Sequence, residues 1–421
     1  MENVDNSAVP AEGRRYKDRV EYYLSLAVEY GIYLYVFMLF FDKGEGLRTV
    51  GLYGSLTAWL ILAFTTKKIK LSADIATYGF LAFLISTLLS CFFSIEPIYS
   101  FGALKRDILK AAITFLVIST YFDIKMLFRL SRVICFSGLI VLAFGLQGFF
   151  LDKEHLYTSR NIFLSVDKNL YGFFVGLFLP FFMMFFFKSD IGWRREVWGL
   201  SSIWGILGAI LSASRGTIGN IFSAIGVWAV FLLKRELLKK TLMVILIVVV
   251  LSTISFNFLP ETVKRQFLSM PEELQTFHDR TDFFWKPAIE ALGKRPWLGW
   301  GYGSKIYRDP RPFENSEKPN WALRGGLHST FITILFHQGV VGFMSYLFLL
   351  LSTAFVLIKM VRNETDEKKL LSLALLSIIA GSFIVNSLVL TVSLRRLAPI
   401  LGMSVALHKH RSKYLSGKTL I

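Results

Sequence analysis

Three residues of this chain combine a chemically useful type with a position at the predicted edge of a membrane: Arg215, Arg280 and His328. A histidine with an unperturbed pKa of about 6.5 is mostly neutral above that pH and can act as a general base. Arginine side chains bind anionic oxygens through paired, charge-assisted hydrogen bonds. Together the three residues predict a base beside an anion-binding site.

Each of these residues also has a plainer interpretation. At a membrane boundary, His328 can serve as an interfacial hydrogen-bonding group, and Arg215 can extend to phospholipid headgroups. For Arg280, a salt bridge to Asp279 or Asp282 is the favoured interpretation from sequence alone. The setting of Arg215, Ser-Ala-Ser-Arg-Gly from 212 to 216, favours function, because glycine admits a ligand to the backbone and Ser214 can cap a helix.

Helix N-termini are predicted near these residues. The sixth apolar span begins at Asn169, after Arg160, the eighth follows Arg215, and the tenth begins at His328. A helix N-terminus offers free N–H groups and about half a positive charge, so three such ends on one face would bind an anion. Arg265 lies above the ninth span, where a headgroup contact explains it equally well.

The composition indicates a polytopic membrane protein. Hydrophobic residues make up 54% of the 421-residue chain, and several apolar stretches can cross about 30 Å of hydrocarbon. We therefore predict an all-α fold of about twelve transmembrane helices, at residues 22–41, 49–65, 75–94, 107–121, 127–149, 169–187, 196–213, 217–233, 241–258, 328–361 (broken near Gly339), 370–391 and 395–408.

Charge asymmetry sets the predicted orientation. With the N-terminus inside, inner loops carry 25 of the 47 Lys and Arg residues, whereas short outer loops carry 11. The predicted organisation is a cytoplasmic tail (1–21), spans one to nine (22–258), a large outer loop (259–327), spans ten to twelve (328–408) and a second cytoplasmic tail (409–421). The loop is rich in Arg, Trp, Gly and Pro.

Several classes of function are disfavoured. The net charge of +17 reflects the inner-face bias and headgroup contact, so nucleic-acid binding is a poor explanation. The outer loops lack clustered histidines and carboxylates of the kind that hold a metal, and we predict no metal and no cofactor. A coupled transporter remains an alternative, but Glu29 is the only clear acidic residue within a predicted span.

The chain resembles the O-antigen ligase family and its relatives, the O-antigen polymerases and protein O-oligosaccharyltransferases. His328-Ser329, nine further residues and then Gly339-Val340-Val341-Gly342 match the family's pattern at the start of the span after a large loop. The Ser-Arg-Gly turn around Arg215 matches as well. Further matches come from the loop and the sixth span: Arg280, Trp285, Pro296, Gly299, Gly301 and Asn169.

This resemblance implies a specific reaction. Such enzymes move a glycan from undecaprenyl diphosphate to a sugar of the lipid A core, without metal or ATP, on the periplasmic face of the bacterial inner membrane. By the resemblance, Arg215 and Arg280 hold the diphosphate, and His328 deprotonates the acceptor hydroxyl for inversion at the anomeric carbon. Secondary substrate contacts are assigned to Arg160, Asn169, Ser214, Arg265 and Trp285.

The resemblance leaves three alternatives open. A polymerase or a protein O-oligosaccharyltransferase would use the same donor chemistry, and a lipid-oligosaccharide flippase is a more distant possibility. Trp285, Trp300, Tyr302 and Trp321 are predicted either to stack on sugar rings or to anchor the loop at the interface.

Overall fold

The structure, a computed structural model, describes residues 11–41, 43–66, 73–151, 168–211, 215–232, 284–313, 326–327, 329–388 and 393–418. Within these ranges the chain forms α-helices and short 3-10 helices without strands, which confirms the predicted all-α class. The helices are α1 (Ala11–Met38), α2 (Glu45–Thr66), α3 (Ile75–Phe92), α4 (Pro97–Tyr121), α5 (Ile124–Leu151), α6 (Lys168–Lys188), α7 (Trp193–Leu211), α8 (Arg215–Leu232), α9 (Lys286–Lys294), α10 (Thr330–Asn363), α11 (Asp366–Leu388) and α12 (Leu394–Lys418).

Five helices in the described ranges are long and apolar enough to cross a membrane: Glu45–Thr66, Ile75–Phe92, Ile124–Gly145, Tyr171–Lys188 and Thr330–Asn363. Eleven of the predicted spans coincide with a long helix, and the ninth, 241–258, lies outside the described residues. The count of twelve therefore stays a prediction. Helix α4 begins at Pro97 rather than near 107, because proline fits the first turn of a helix, where its missing N–H is not needed.

The helices share one main hydrophobic core, to which every described helix except α9 contributes. Antiparallel packing of α3 against α10 is close because Gly79 of α3 lies against the backbone of Leu349. On the neighbouring face of α3, Phe80 stacks on Phe115 of α4 with ring centroids 3.9 Å apart. These contacts hold α3, α4 and α10 together.

Helix α9 and the residues after it pack onto one end of this bundle. They form a second, smaller core with Trp300, Ile306 and Phe313 of the loop and Phe336 of α10. Helix α9 ends at Lys294, two residues before Pro296.

Helix α10 is broken at Gly339, as the sequence predicts. This residue has φ 64° and ψ −165°, far from helical values, and a helix of 34 residues is thereby divided into two parts. The side chain of Ser329 caps the first part by accepting a hydrogen bond from the N–H of Ile332 at 3.3 Å. The break lies where the loop docks.

Candidate active site

The N-termini of α6 and α8 lie side by side. A Cβ added to Gly172 of α6 would meet the Oγ1 of Thr217 of α8 at 1.4 Å, and one added to Gly176 would meet Asn220 at 2.5 Å. Because the contacting residues of α6 and α8 follow each other in the same order along both helices, the two helices run parallel. Asn169 and Arg215, which occupy the first turns of α6 and α8, are therefore at the same end of the bundle.

Helix α11 connects this pair of helix ends to the start of α10. Asn220 of α8 reaches Gly381 of α11, where an added Cβ would lie 2.6 Å from its Oδ1. Two residues further along α11, the ring of Phe383 packs against Phe331 in the first turn of α10, with centroids 5.5 Å apart. The N-termini of α6, α8 and α10 consequently share one end of the bundle.

The loop takes over the backbone hydrogen bonds that the break at Gly339 leaves open. A continuous helix would pair the N–H of Val340 with the carbonyl of Phe336. Instead, Val340 N–H donates to the Pro296 carbonyl at 2.8 Å, and the Phe336 carbonyl accepts from the N–H of Trp300 at 3.0 Å. The backbone hydrogen bonds of the next turn are replaced in the same way.

In that turn, Val341 N–H donates to the Trp297 carbonyl at 3.2 Å, and the His337 carbonyl accepts from Gly301 N–H at 2.9 Å. The His337 carbonyl accepts a second bond, at 2.6 Å, from the hydroxyl of Ser90 on α3. Since every opened group has a partner, the break is a stable part of the fold.

Glycine is required where the loop meets the helix. Gly299, Gly301 and Gly339 all have positive φ, at 66°, 112° and 64°. A Cβ on Gly339 would lie 2.3 Å from the Trp297 carbonyl oxygen, and one on Gly299 would lie 2.5 Å from the carbonyl carbon of His337. The Gly-rich stretch after Pro296 thus forms tight turns, and it docks against the first glycine of the Gly-x-x-Gly pattern.

His337 is buried at this junction, with 3% of its surface exposed. Its Nδ1 lies 2.6 Å from the Gly301 carbonyl oxygen, and because a carbonyl only accepts, Nδ1 carries the proton. The neighbouring Gln338 accepts a bond from the Thr87 hydroxyl at 3.1 Å. His337 is therefore packed inside the protein, and its side chain also lines a cavity.

This cavity, of about 220 Å³, lies between α4, α10, the start of α12 and the loop. Its polar lining includes Arg106, Asp107, Tyr302, Tyr307 and Thr330. Arg395 in the first turn of α12 lies near the cavity, with its Nη1 3.9 Å from the Asp107 carboxylate. Thr330, which lines the cavity, is two residues after the predicted base His328 in the sequence.

The two phenols of the cavity remain protonated. Burial raises the pKa of Tyr302 and also that of Tyr307 above the ordinary value for tyrosine. A neutral phenol both donates and accepts hydrogen bonds, as sugar hydroxyl groups do. The cavity therefore offers hydroxyl groups and a cation–carboxylate pair to a polar ligand.

Arg106 and Arg395 were not predicted from the sequence as site residues. A signal was present, because Arg395 and Arg396 lie together at the predicted outer end of the last span. Two cations at the positive end of a helix are opposed by the helix dipole and by the inner-face bias of basic residues. Such a placement indicates a site that needs positive charge.

Trp285 and Trp300 both hold the loop in place. The Nε1–H of Trp285 donates to the Leu327 carbonyl at 3.0 Å, one residue before His328. Trp300 is buried, donates to the Ala291 carbonyl at 2.9 Å, and has the Arg295 guanidinium over its ring. Trp300 packs the loop inside the protein, in the small core with Ala288, Ala291 and Phe336, and not at a membrane interface. Stacking of Trp285 on a sugar stays a prediction, and Trp321 is outside the described residues.

Five of the eight predicted site residues are not among the residues that the structure describes. His328, Arg160, Ser214, Arg265 and Arg280 lie outside the described residues. For Asn169 and Arg215 the structure gives helix position alone. Among the described residues, no group of three or more His, Cys, Asp and Glu side chains is placed to hold a metal ion, and metal independence stays a prediction.

Glu29, the possible transport site, has fixed partners. Its Oε1 accepts from the Tyr33 hydroxyl at 2.6 Å and forms a salt bridge with Arg129 at 2.6 Å. A carboxylate held in this way is part of the packing between α1 and α5. The structure therefore gives the transporter alternative no support at this residue.

One segment of the chain matches a known family. Residues 200–347 match the sequence model of the family described as O-antigen ligase. This segment is less than half of the chain, and over it the chain is similar to the O-antigen ligase family. It contains α8, α9, the docked loop and the first part of α10, and with them Arg215, Arg265, Arg280, Trp285 and His328. No curated protein matches the chain.

Proposed function

We propose that this protein is an inverting, metal-independent glycosyltransferase that moves O-antigen polysaccharide from undecaprenyl diphosphate to the lipid A core. The reaction takes place on the periplasmic face of the bacterial inner membrane. The observation that carries the proposal is the convergence of the N-termini of α6, α8 and α10. Those of α8 and α10 lie, with the docked loop, inside the segment that matches the O-antigen ligase family. That arrangement suits an anionic lipid-linked donor.

In the proposed reaction, Arg215 and Arg280 bind the diphosphate of the donor. Arg215 is the first residue of α8, so its guanidinium and the helix end add their positive charge. As the bond between the anomeric carbon and the diphosphate oxygen breaks, negative charge grows on the leaving group, and these cations stabilise it. Arg160, Asn169, Ser214 and Arg265 are secondary contacts.

His328 is the proposed general base. It removes the proton from the acceptor hydroxyl, whose oxygen attacks the anomeric carbon from the face opposite the diphosphate. One C–O bond forms, one breaks, and undecaprenyl diphosphate leaves with inversion at that carbon. The cavity lined by Arg106, Asp107 and Tyr302 supports this assignment, because it provides hydrogen-bonding groups for a sugar close to Thr330.

The test is a transfer assay with purified protein, undecaprenyl-diphosphate-linked glycan and lipid A core that lacks O-antigen. Transfer is read as a gel shift of the core, with and without EDTA. His328→Ala and Arg215→Ala are compared with Arg308→Ala, which removes an exposed arginine of the same segment that does not line the cavity. We expect transfer that resists EDTA, is lost in the first two variants and is retained in the third.

Other outcomes identify the alternatives. Longer lipid-linked chains without modified core would make the protein a polymerase, and transfer to Ser or Thr of a polypeptide would make it a protein O-oligosaccharyltransferase. If no substrate is transferred and all variants behave like the unmodified protein, the glycosyltransferase proposal is wrong and a flippase becomes the leading function.

A further inference from the structure

A second cavity, of about 710 Å³, lies at the turn between α6 and α7. It is at the other end of the bundle from the candidate active site. Lys188, the last residue of α6, lines it, whereas Asn169 of the same helix lies at the active-site end. Glu367 in the first turn of α11 also lines it, just beyond the C-terminus of α10.

The charges that line this cavity leave one positive charge uncompensated. Three are cations, Arg132, Lys188 and Arg194, and two are carboxylates, Asp190 and Glu367. Lys188 and Glu367 form a salt bridge and neutralise each other. Within the described part of the chain, neither Arg132 nor Arg194 has a carboxylate within salt-bridge distance. Asp190 balances one of these two arginines.

Aromatic and aliphatic side chains surround these charges. The Arg132 guanidinium lies 6.0 Å from the ring centre of Phe185, and that of Arg194 lies 5.6 Å from the ring centre of Trp193. Trp193 is 70% exposed and Ile191 is 91% exposed. Large apolar side chains exposed at the end of a membrane helix are typical of contact with the interfacial region of a bilayer.

We propose that this cavity binds the phosphodiester headgroup of an anionic phospholipid. A phosphodiester carries one negative charge, which matches the single uncompensated positive charge. The volume exceeds that of a bare phosphate group and accommodates a glycerol-phosphate headgroup with part of its glycerol backbone. Ile191 and Trp193 contact the start of the acyl chains, and the guanidinium groups of Arg132 and Arg194 donate hydrogen bonds to the phosphate oxygens.

The experiment uses the full chain, delipidated in a neutral detergent and titrated with three probes. These are phosphatidylglycerol, phosphatidylcholine and free glycerol phosphate, and binding is read by native mass spectrometry and by the melting temperature. Phosphatidylcholine has the same phosphodiester with a compensating positive charge, so it controls for headgroup charge. Free glycerol phosphate, a phosphomonoester with up to two negative charges, tests whether the cavity binds a soluble phosphate compound instead.

Variants locate the binding within the molecule. In Arg132→Gln/Arg194→Gln we expect affinity for phosphatidylglycerol to fall about 30-fold, because two cations near the phosphate are removed. Arg195→Gln is the matched control, since Arg195 adjoins Arg194 but does not line the cavity. Asp190→Asn leaves both arginines in place and should raise the affinity, which keeps the test meaningful if the double variant folds poorly.

The proposal is overturned if phosphatidylcholine binds as tightly as phosphatidylglycerol, or if Arg195→Gln loses as much affinity as the double variant. An Asp190→Asn protein with unchanged or weaker binding would also contradict it. If free glycerol phosphate binds as tightly as the lipid, the cavity belongs to a soluble phosphate compound and the lipid assignment is wrong. None of these outcomes depends on glycosyl transfer.

Discussion

At the candidate active-site end of α10, backbone hydrogen bonds join segments that bound the cavity. The cavity beyond the C-terminus of α10 is instead formed by side chains of the α6–α7 turn, with Arg132 of α5 and Glu367 of α11. The loop is bonded to α10 through Pro296, Trp297, Trp300 and Gly301. Around the α6–α7 turn, a salt bridge and cation–π contacts hold the wall side chains. Backbone hydrogen bonds fix the positions of the residues around the first cavity closely, as group transfer requires. The side chains around the second cavity can move more, as headgroup binding permits.

Among substitutions that test this contrast, Gly339→Ala is expected to have the largest effect. The alanine would have an unfavourable φ and a Cβ 2.3 Å from the Trp297 carbonyl oxygen. We expect a loss of about 3 kcal/mol in the free energy of unfolding and loss of glycosyl transfer, because the loop can no longer dock. Melting temperature and the transfer assay measure the two effects.

Gly226→Ala is the control for this variant. Gly226 is a helical glycine of α8 with open space around its Cβ position, so alanine should be neutral or slightly stabilising there. Equal losses in Gly226→Ala and Gly339→Ala would show that the break in α10 has no special role.

The next largest effect is expected from Gly172→Ala, which pushes α6 away from α8. Its Cβ would overlap the Thr217 hydroxyl, and the first turn of α8, with Arg215, must move. We expect transfer to fall at least tenfold while headgroup binding at the other end is retained. Gly205→Ala of α7, whose added Cβ has its nearest neighbour at 3.9 Å, should leave transfer unchanged.

Removing a charge from the smaller cavity should have an intermediate effect. Asp107→Asn weakens the attraction to Arg395 and changes the polar lining of the cavity, so we expect about a tenfold rise in KM for the acceptor with little change in melting temperature. Lys105→Gln, an exposed neighbour that does not line the cavity, is the control. Unchanged kinetics in Asp107→Asn would remove this cavity from the proposed site.

The smallest effect concerns the attachment of the loop at Arg311. Its guanidinium bonds to Asp309 and to Glu96 beside α4, and the bond to Asp309 lowers the pKa of that carboxyl group. A lowered folded pKa stabilises the fold above the unfolded value of about 3.9, and this contribution disappears as the pH falls through the folded pKa. The melting temperature of Asp309→Asn should therefore lie slightly below that of the unmodified protein near neutral pH. The difference should begin to shrink near pH 4 and disappear once the pH is below the folded pKa of Asp309. A difference that persists in acid would show that the salt bridge is not its cause.

Much of the helical framework follows from the sequence. Apolar runs and their charged ends predict the positions of α2, α3, α6 and α10, and the glycine at 339 predicts the break. The partners at the break are beyond such reasoning, because nothing in the local pattern of 296–301 indicates that its N–H groups and carbonyls pair with residues 336–341. Arg395 was not predicted for a related reason: only tertiary packing brings it close to Asp107.

The break at Gly339 has a consequence for insertions and deletions. Both ends of the segment 330–338 are fixed, by the Ser329 cap at one end and by the docked loop at the other. Nine helical residues span about 13.5 Å, and one added residue would rotate the preceding chain by about 100°. His328 adjoins the fixed start of this segment in the sequence. The number of residues between the histidine and the Gly-x-x-Gly pattern is thus fixed. Side chains in this interval can be exchanged, but residues cannot be added or removed.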